Sequence, residues 1–278
     1  MTATVERPAV PAGPADRPRR RGVWIALAAL TAFTVLVPAG LQVVGGVLRQ
    51  SVVAPPFEYR SPVQEVRVDA GGAHLTFGPS GSGLTRITQE LTWVLHRPQV
   101  KHHLDAQGVL RIKVTCDDPA ALNGGRDCDA ELGVRLPSAA RVTVTSESGS
   151  ITARDLAGDV EVRTRSGELN LHDVRGNVVF EAGSGAVRGE GMRSSRLSAR
   201  AGSGSVDLDF AAPPSDVTVR TGSGAVDMRL PVGSHYRVVG DAGSGGWQVD
   251  RMLHDPGSPA RIDVNTGAGS VTVGYPRR

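Results

Sequence analysis

The sequence predicts an all-β protein: a single-stranded parallel β-solenoid (β-helix-like) ectodomain preceded by one transmembrane α-helix. Three observations predict it. A glycine turn returns seven times, apolar residues alternate on both sides of every copy, and residues 23–48 form an uncharged run behind a cluster of arginines. The anchor glycines of the turns (149, 167, 185, 204, 224, 245 and 269) are 18, 18, 19, 20, 21 and 24 residues apart. A period near 20 with glycine at a fixed phase marks a solenoid, whose units bury their apolar faces only by stacking on their neighbours.

Residues 1–22, rich in Pro, Ala and Arg, read as a disordered basic cytoplasmic tail. The tail carries a net charge of +3, equal to that of the whole chain, so the remainder is neutral. A neutral ectodomain lacks the basic surface that a phosphate backbone demands, and nucleic acid is excluded as a partner. Residues 23–48 exceed the ~20 apolar residues that cross a bilayer. Arg17, Arg19, Arg20 and Arg21 precede them and only Arg49 follows, which places the N-terminus in the cytoplasm and the solenoid outside. A cleaved signal peptide with Val37-Pro38-Ala39 at its cleavage site is the alternative, although the apolar run continues through Val43, Val44, Val47 and Leu48. Both readings export the solenoid. Residues 49–60 read as a linker.

Residues 61–140 read as a modified N-terminal portion of the solenoid that caps one end. Val66, Val68, Ala70, Leu75 and Phe77 fit the repeat columns if Ala73 takes the anchor position, and strand-like runs follow at 85–95, 109–116 and 130–136. Residues 141–278 hold the regular coils. Seven positions before the anchor stand Val142, Val160, Val178, Leu197, Val217, Val238 and Ile262, all apolar. Two positions after it stand Ile151, Leu169, Val187, Val206, Val226, Trp247 and Val271. Five positions before the anchor stand Val144, Val162, Phe180, Ala199, Val219, Gly240 and Val264, and the positions between the columns are mostly polar, so each coil reads strand, Gly-Ser-Gly corner, strand, with one face inward. The connecting segments 154–159 and 172–177 each add an apolar residue, Leu156 and Val174. Tyr275-Pro276-Arg277-Arg278 ends the chain abruptly, leaving the last coil covered by little or by a partner.

Cys116 and Cys128 are the only cysteines and flank a loop in the exported part, which predicts a disulfide. A zinc site would need two further ligands, for which His102 and His103 are the only sources, and their spacing matches no zinc motif. No glycine-rich loop is followed by Lys-Ser/Thr, and no serine has glycine at both flanking second positions. Phosphate-loop and serine-hydrolase readings therefore fail, and no metal or cofactor is expected. Three residues after the anchor, Arg188, Asp207 and Asp227 fall in successive coils, ~4.8 Å apart. Two carboxylates so placed could serve a retaining glycosidase. The plainer reading is an exposed polar ladder in which Arg188 offsets one aspartate. Four residues before the anchor, Arg163, Arg200 and Arg220 form an outward column and a candidate binding face.

The serial turns, as in Thr221-Gly222-Ser223-Gly224-Ala225-Val226-Asp227, and the lead-in Glu131-Leu132-Gly133-Val134-Arg135-Leu136-Pro137 resemble the bacterial putative-adhesin domain family over about residues 61–275. The resemblance implies a β-solenoid ectodomain of a membrane-associated protein, with some relatives similar to envelope-stress components, and supplies no catalytic residues. The expected function is a non-enzymatic, membrane-anchored envelope protein presenting a repetitive β surface to an envelope protein or glycan. A polysaccharide-acting enzyme using Asp207 and Asp227, and a sensory or scaffold subunit, are the alternatives.

Overall fold

The structure is a computed structural model that describes residues 50–93, 97–115 and 128–276, the side chain of Cys128 excepted, together with residues 25, 27, 30–32 and 34. The chain divides into two units, Met1–Arg49 and Gln50–Arg278. In the first unit the described residues are helical, and the Thr31 and Thr34 hydroxyls donate to the carbonyls of Leu27 and Leu30 one turn earlier. Among the described residues no helix is long and apolar enough to cross a membrane. The expected span 23–48 lies mostly outside them.

The second unit is a stack of nine β coils. Two coils come from the N-terminal portion: β2 (Glu65–Asp69) with β3 (His74–Pro79), and β6 (Val109–Thr115) with β7 (Cys128–Leu136). Then follow β8 (Arg141–Arg154), β9 (Val160–His172) and β10 (Val178–Met192), each bending through its corner without a break. The remaining coils are split at the corner: β11 (Arg196–Ser203) with β12 (Val206–Phe210), and β13 (Asp216–Ser223) with β14 (Val226–Arg229). They continue as β15 (Arg237–Asp241) with β16 (Trp247–Val249), and β17 (Arg261–Ala268) with β18 (Val271–Gly274).

Neighbouring coils pair in parallel, with the anchor columns in register: Gly149 lies beside Gly167, and Gly167 beside Gly185. Val66 pairs with Val142 and Leu75 with Ile151, the register that places Ala73 beside the anchor glycine of β8. The two halves of each coil form two sheet faces whose inward columns make one continuous core. Val142, Val160, Val178, Val217 and Ile262 are buried in one column, and Ile151, Leu169, Val187, Val206 and Val271 in the other. Leu156 and Val174 close the third side. The second corner is carried by Asp155 and Asp173, both at φ near +50° (53° and 52°), with Gly191 at the same phase of the next coil. Asp tolerates this left-handed backbone because its short polar side chain can bond locally.

Three expectations are corrected. First, the order of the coils is not the order of the sequence. The β13/β14 coil pairs with β17/β18, and β15/β16 stacks outside that. The chain skips one step and its final coil fills the gap, so the end of the stack is 237–249 and not the C-terminus. Core quality explains the choice: Ile262, Val264, Val271 and Val273 are fully buried, whereas the outer coil has Gly240 in a core column and Trp247 41% exposed. A coil with little to bury is best placed where nothing stacks on it. At the other end, too, the later coil β6/β7 lies outside β2/β3.

Second, within the expected linker, residues 50–59 form a strand. β1 (Gln50–Tyr59) pairs antiparallel with β4 (Thr85–Trp93), with the register shift between Ala54 and Phe57 taking up Pro55 and Pro56. Proline is tolerated there because β1 is an edge strand and the irregular step needs no ladder donor. Third, the solenoid is not parallel throughout. β4 pairs antiparallel with β7, and β5 (Gln99–Leu104) antiparallel with β6, so both faces of the N-terminal end are covered. Cys116 and the loop to β7 lie outside the described residues, and with them the expected disulfide to Cys128.

Candidate functional site: a groove along the arginine column

The three arginines come together on one surface. In spatial order the outward ladder runs Thr145, Arg163, Glu181, Arg200, Arg220, Asn265, Asp241, each in register with the next. Beside it, the next column contains only small residues, among them Ser146, Thr164, Ala182, Ala201 and Thr221. Glycines 202, 222, 267 and 243 follow at the bend toward the corner. Long side chains next to a strip of small ones leave a trough, and its volume is about 1010 Å³. It crosses seven coils, from Thr145 to Asp241, roughly 30 Å at the spacing of β strands.

The arginines are held but not sequestered. Arg163 donates from Nε to Glu181 at 3.2 Å and is paired with Glu161, whose charge raises the already high pKa of the guanidinium. Arg200 reaches the same Glu181 at 3.6 Å, and Arg220 reaches Asp263 at 3.8 Å. All three guanidinium side chains are about half exposed (53%, 48% and 50%), so these pairs exchange readily for an incoming polar group. In the floor, the Ser146 hydroxyl bonds the Gly71 and Ser148 carbonyls and the Thr221 hydroxyl bonds that of Ser223. Thr164 Oγ1 has no hydrogen-bond partner although it is buried. The trough thus offers guanidinium donors and carboxylate acceptors along one ladder. Sequence periodicity found the arginine column; it missed the small-residue strip as the other half of the same groove.

Asp207 and Asp227 lie on the opposite face. They are neighbours in register, and Arg188 precedes Asp207 in the same ladder. Arg188, however, is paired with Glu168 and not with Asp207. Arg229, from the position two residues on, bridges both aspartates at 3.2 Å each. One guanidinium bridging both carboxylates makes them part of an exposed, ion-paired ladder. Of the histidine pair, His102 accepts or donates a 2.6 Å bond with the Tyr59 hydroxyl and packs against Phe57 with the rings tilted, and burial lowers its pKa and raises that of Tyr59. Among the described residues, no group of three or more His, Cys, Asp or Glu side chains is placed to hold a metal ion.

The Toastrack DUF4097 family model matches residues 131–273, just over half of the chain and all seven regular coils. The chain belongs to the Toastrack DUF4097 family. The match opens at Glu131, in β7, so the antiparallel cap of β1, β4 and β5 precedes the Toastrack repeat. No curated protein matches the chain. Among solved structures, a putative cell adhesion protein from Clostridium sporogenes is 13% identical, covering 82% of this chain and 100% of that one at a TM-score of 0.36. A putative adhesin from Parabacteroides distasonis is 11% identical, covering 80% and 97% at 0.39. A putative lipid binding protein from the same organism is 11% identical, covering 80% and 96% at 0.34.

Proposed function

We propose that this Toastrack protein is a non-enzymatic, single-pass membrane protein whose solenoid lies outside the cell and binds an envelope protein or glycan along the arginine groove. The observation that supports this reading is the trough itself: an extended channel across seven coils, with exchangeable arginines on one wall and a floor of small residues. Repetition suits such a surface to a chain-like ligand, because each coil offers a similar contact at the next step. The anchor rests on the arginine cluster before residues 23–48 and the length of that uncharged run.

Two measurements test it. Protease added to intact protoplasts should digest the solenoid and spare the short tail; a mature N-terminus at Gly40 would replace the anchor with a cleaved leader. Retention on sedimented cell-wall material should be lost when Arg163, Arg200 and Arg220 are all changed to Ala, and kept in Asp207→Ala. Equal retention of the triple variant rejects the groove. Activity on envelope glycans that disappears in Asp207→Ala returns the polysaccharide-acting reading.

A further inference from the structure

We propose that the cap end of the stack is seated on the outer surface of the bilayer, with β1 lying among the lipid headgroups; the inference rests on the anchored reading above. Chain length sets the distance. The uncharged run ends at Leu48 and β1 begins at Gln50, so Arg49 alone separates them in sequence. Two residue steps reach at most roughly 7 Å. In an anchored chain the start of β1 is therefore held at the membrane surface.

The strand held there is unfinished. Among the described residues β1 pairs with β4 alone and β5 with β6 alone, so each side of this end closes on an edge strand. The two edges meet across the end of the core, where the Phe57 and His102 rings lie 4.5 Å apart. Within β1 only Ala54 and Tyr59 are partly covered. Val52, Val53 and Phe57 are 38%, 72% and 45% exposed. Val52 stands opposite Leu91 and Phe57 opposite Ile87, both buried, so these two side chains continue core columns with nothing stacked on them. Val53, opposite Glu90, adds apolar surface on the other face of the same strand. Apolar side chains left exposed together mark an interaction site.

A bilayer surface fits this end better than another strand does. Pro55-Pro56 interrupt β1 at its middle, where the ladder with β4 also shifts, and proline on an edge blocks strand addition. Lipid needs no ladder. The charges agree: Arg49 precedes β1, Arg60 follows it, and Lys101 lies on β5. Arg97 sits 5.3 Å over the ring of Trp93, the residue paired with Gln50. Among the described residues Arg60, Arg97 and Lys101 have no ion-pair partner. Of the acids nearby, Glu58 is paired with Arg86, and Glu90 lies one strand in, on β4. Unpaired basic residues beside exposed apolar ones suit an anionic headgroup layer. The free backbone edge of β1 limits the depth, since its polar groups need headgroups or water and find neither in hydrocarbon. So seated, the arginine groove begins in β8 at Thr145 and runs away from the membrane to Asp241 in the outermost coil.

The experiment is photocrosslinking of the full-length chain reconstituted in liposomes of phosphatidylcholine and phosphatidylglycerol. A photoreactive residue is placed at position 53 or, as the control, at position 232. Val232 is also apolar, is 80% exposed, and leads into β15 at the other end of the stack. Mass spectrometry should find phospholipid adducts about tenfold more often at 53 than at 232. Omitting phosphatidylglycerol should lower the yield at 53 about threefold or more, and so should Arg60→Glu combined with Lys101→Glu. Equal yields at 53 and 232 overturn the seat, as does a yield at 53 indifferent to lipid charge and to the two substitutions. A crosslink from 53 to a second copy of the chain overturns it too, in favour of a dimer. Alkaline washing of the wild type reads the anchor separately. A chain retained through the wash with no adduct at 53 overturns the seat and leaves the anchor. A chain washed off yet adducted at 53 beforehand supports the seat and overturns the anchor, and a chain that does neither overturns both.

Discussion

Gly149→Ala should cost about 2–5 kcal/mol of stability, shared between backbone strain and the backbone that the new methyl group displaces. Gly149 sits at φ +104°, a conformation that L side chains rarely adopt, and a Cβ built on it falls 2.5 Å from the Ala73 carbonyl oxygen and 3.0 Å from that of Gly72. The strained backbone alone accounts for about 1–3 kcal/mol. The rest follows from what must move. The 70–73 turn is fixed by the Ala73 amide on Ala70 O, by the Glu147 and Ser148 amides on Gly71 O, and by the Ser146 hydroxyl on the same oxygen. Shifting that turn by several tenths of an ångström weakens one or two of these bonds, at about 1 kcal/mol each or more where the groups are buried. Gly81→Ala is the control, since nothing lies within 4 Å of the added carbon; it should change stability by less than about 0.5 kcal/mol. Urea unfolding of the full-length protein in detergent, followed by circular dichroism, measures both. A Gly149→Ala midpoint equal to that of Gly81→Ala would refute the reasoning, because the coils would then not be stacked at the corner as described.

Val219 is fully buried between Ala199 and Val264, and Val219→Asp should abolish folding or cost several kcal/mol, whereas Arg220→Asp should fold with a change of about 0.5 kcal/mol or less; proteolysis and thermal melts compare them. Cys116 and Cys128 should be recovered as one linked peptide by mass spectrometry without reduction, and two alkylatable thiols in fresh material would contradict this. Burial depresses the His102 pKa in the fold, so the unfolded chain binds the proton more readily and stability falls as the pH drops below the ordinary histidine value of about 6.5. His102→Gln should flatten that acid limb; an unchanged limb would place the titration in another group.

The alternation of apolar and polar columns was readable from residue types alone, because the pleat forces it and every coil repeats it. The same repetition hid the stacking order. Ile262 fits beside Val217 as well as beside Val238, so the columns cannot say which coil comes next. Two signs were present: Gly240 and Trp247 are the poorest occupants of their columns, and the last two spacings lengthen to 21 and 24 residues. The cap was obscured for a different reason. β1 contains Pro55-Pro56 and β5 reads Gln-Val-Lys-His-His-Leu, and neither pattern suggests a strand without the partner it pairs with. Of the groove, the arginine wall was legible as a column, while its depth depends on side-chain size in the column beside it. Arg229 as the clamp on Asp207 and Asp227 was not legible, since Arg188 occupies the nearer ladder position.

The most direct test of the arginine groove as the binding face is site-specific photocrosslinking on intact cells. Arg165 lines the groove and its side chain is 78% exposed, and Asp227 projects from the opposite face. A photoreactive residue at position 165 should capture envelope material that the same residue at position 227 does not. Capture at 227 and none at 165 would contradict the account.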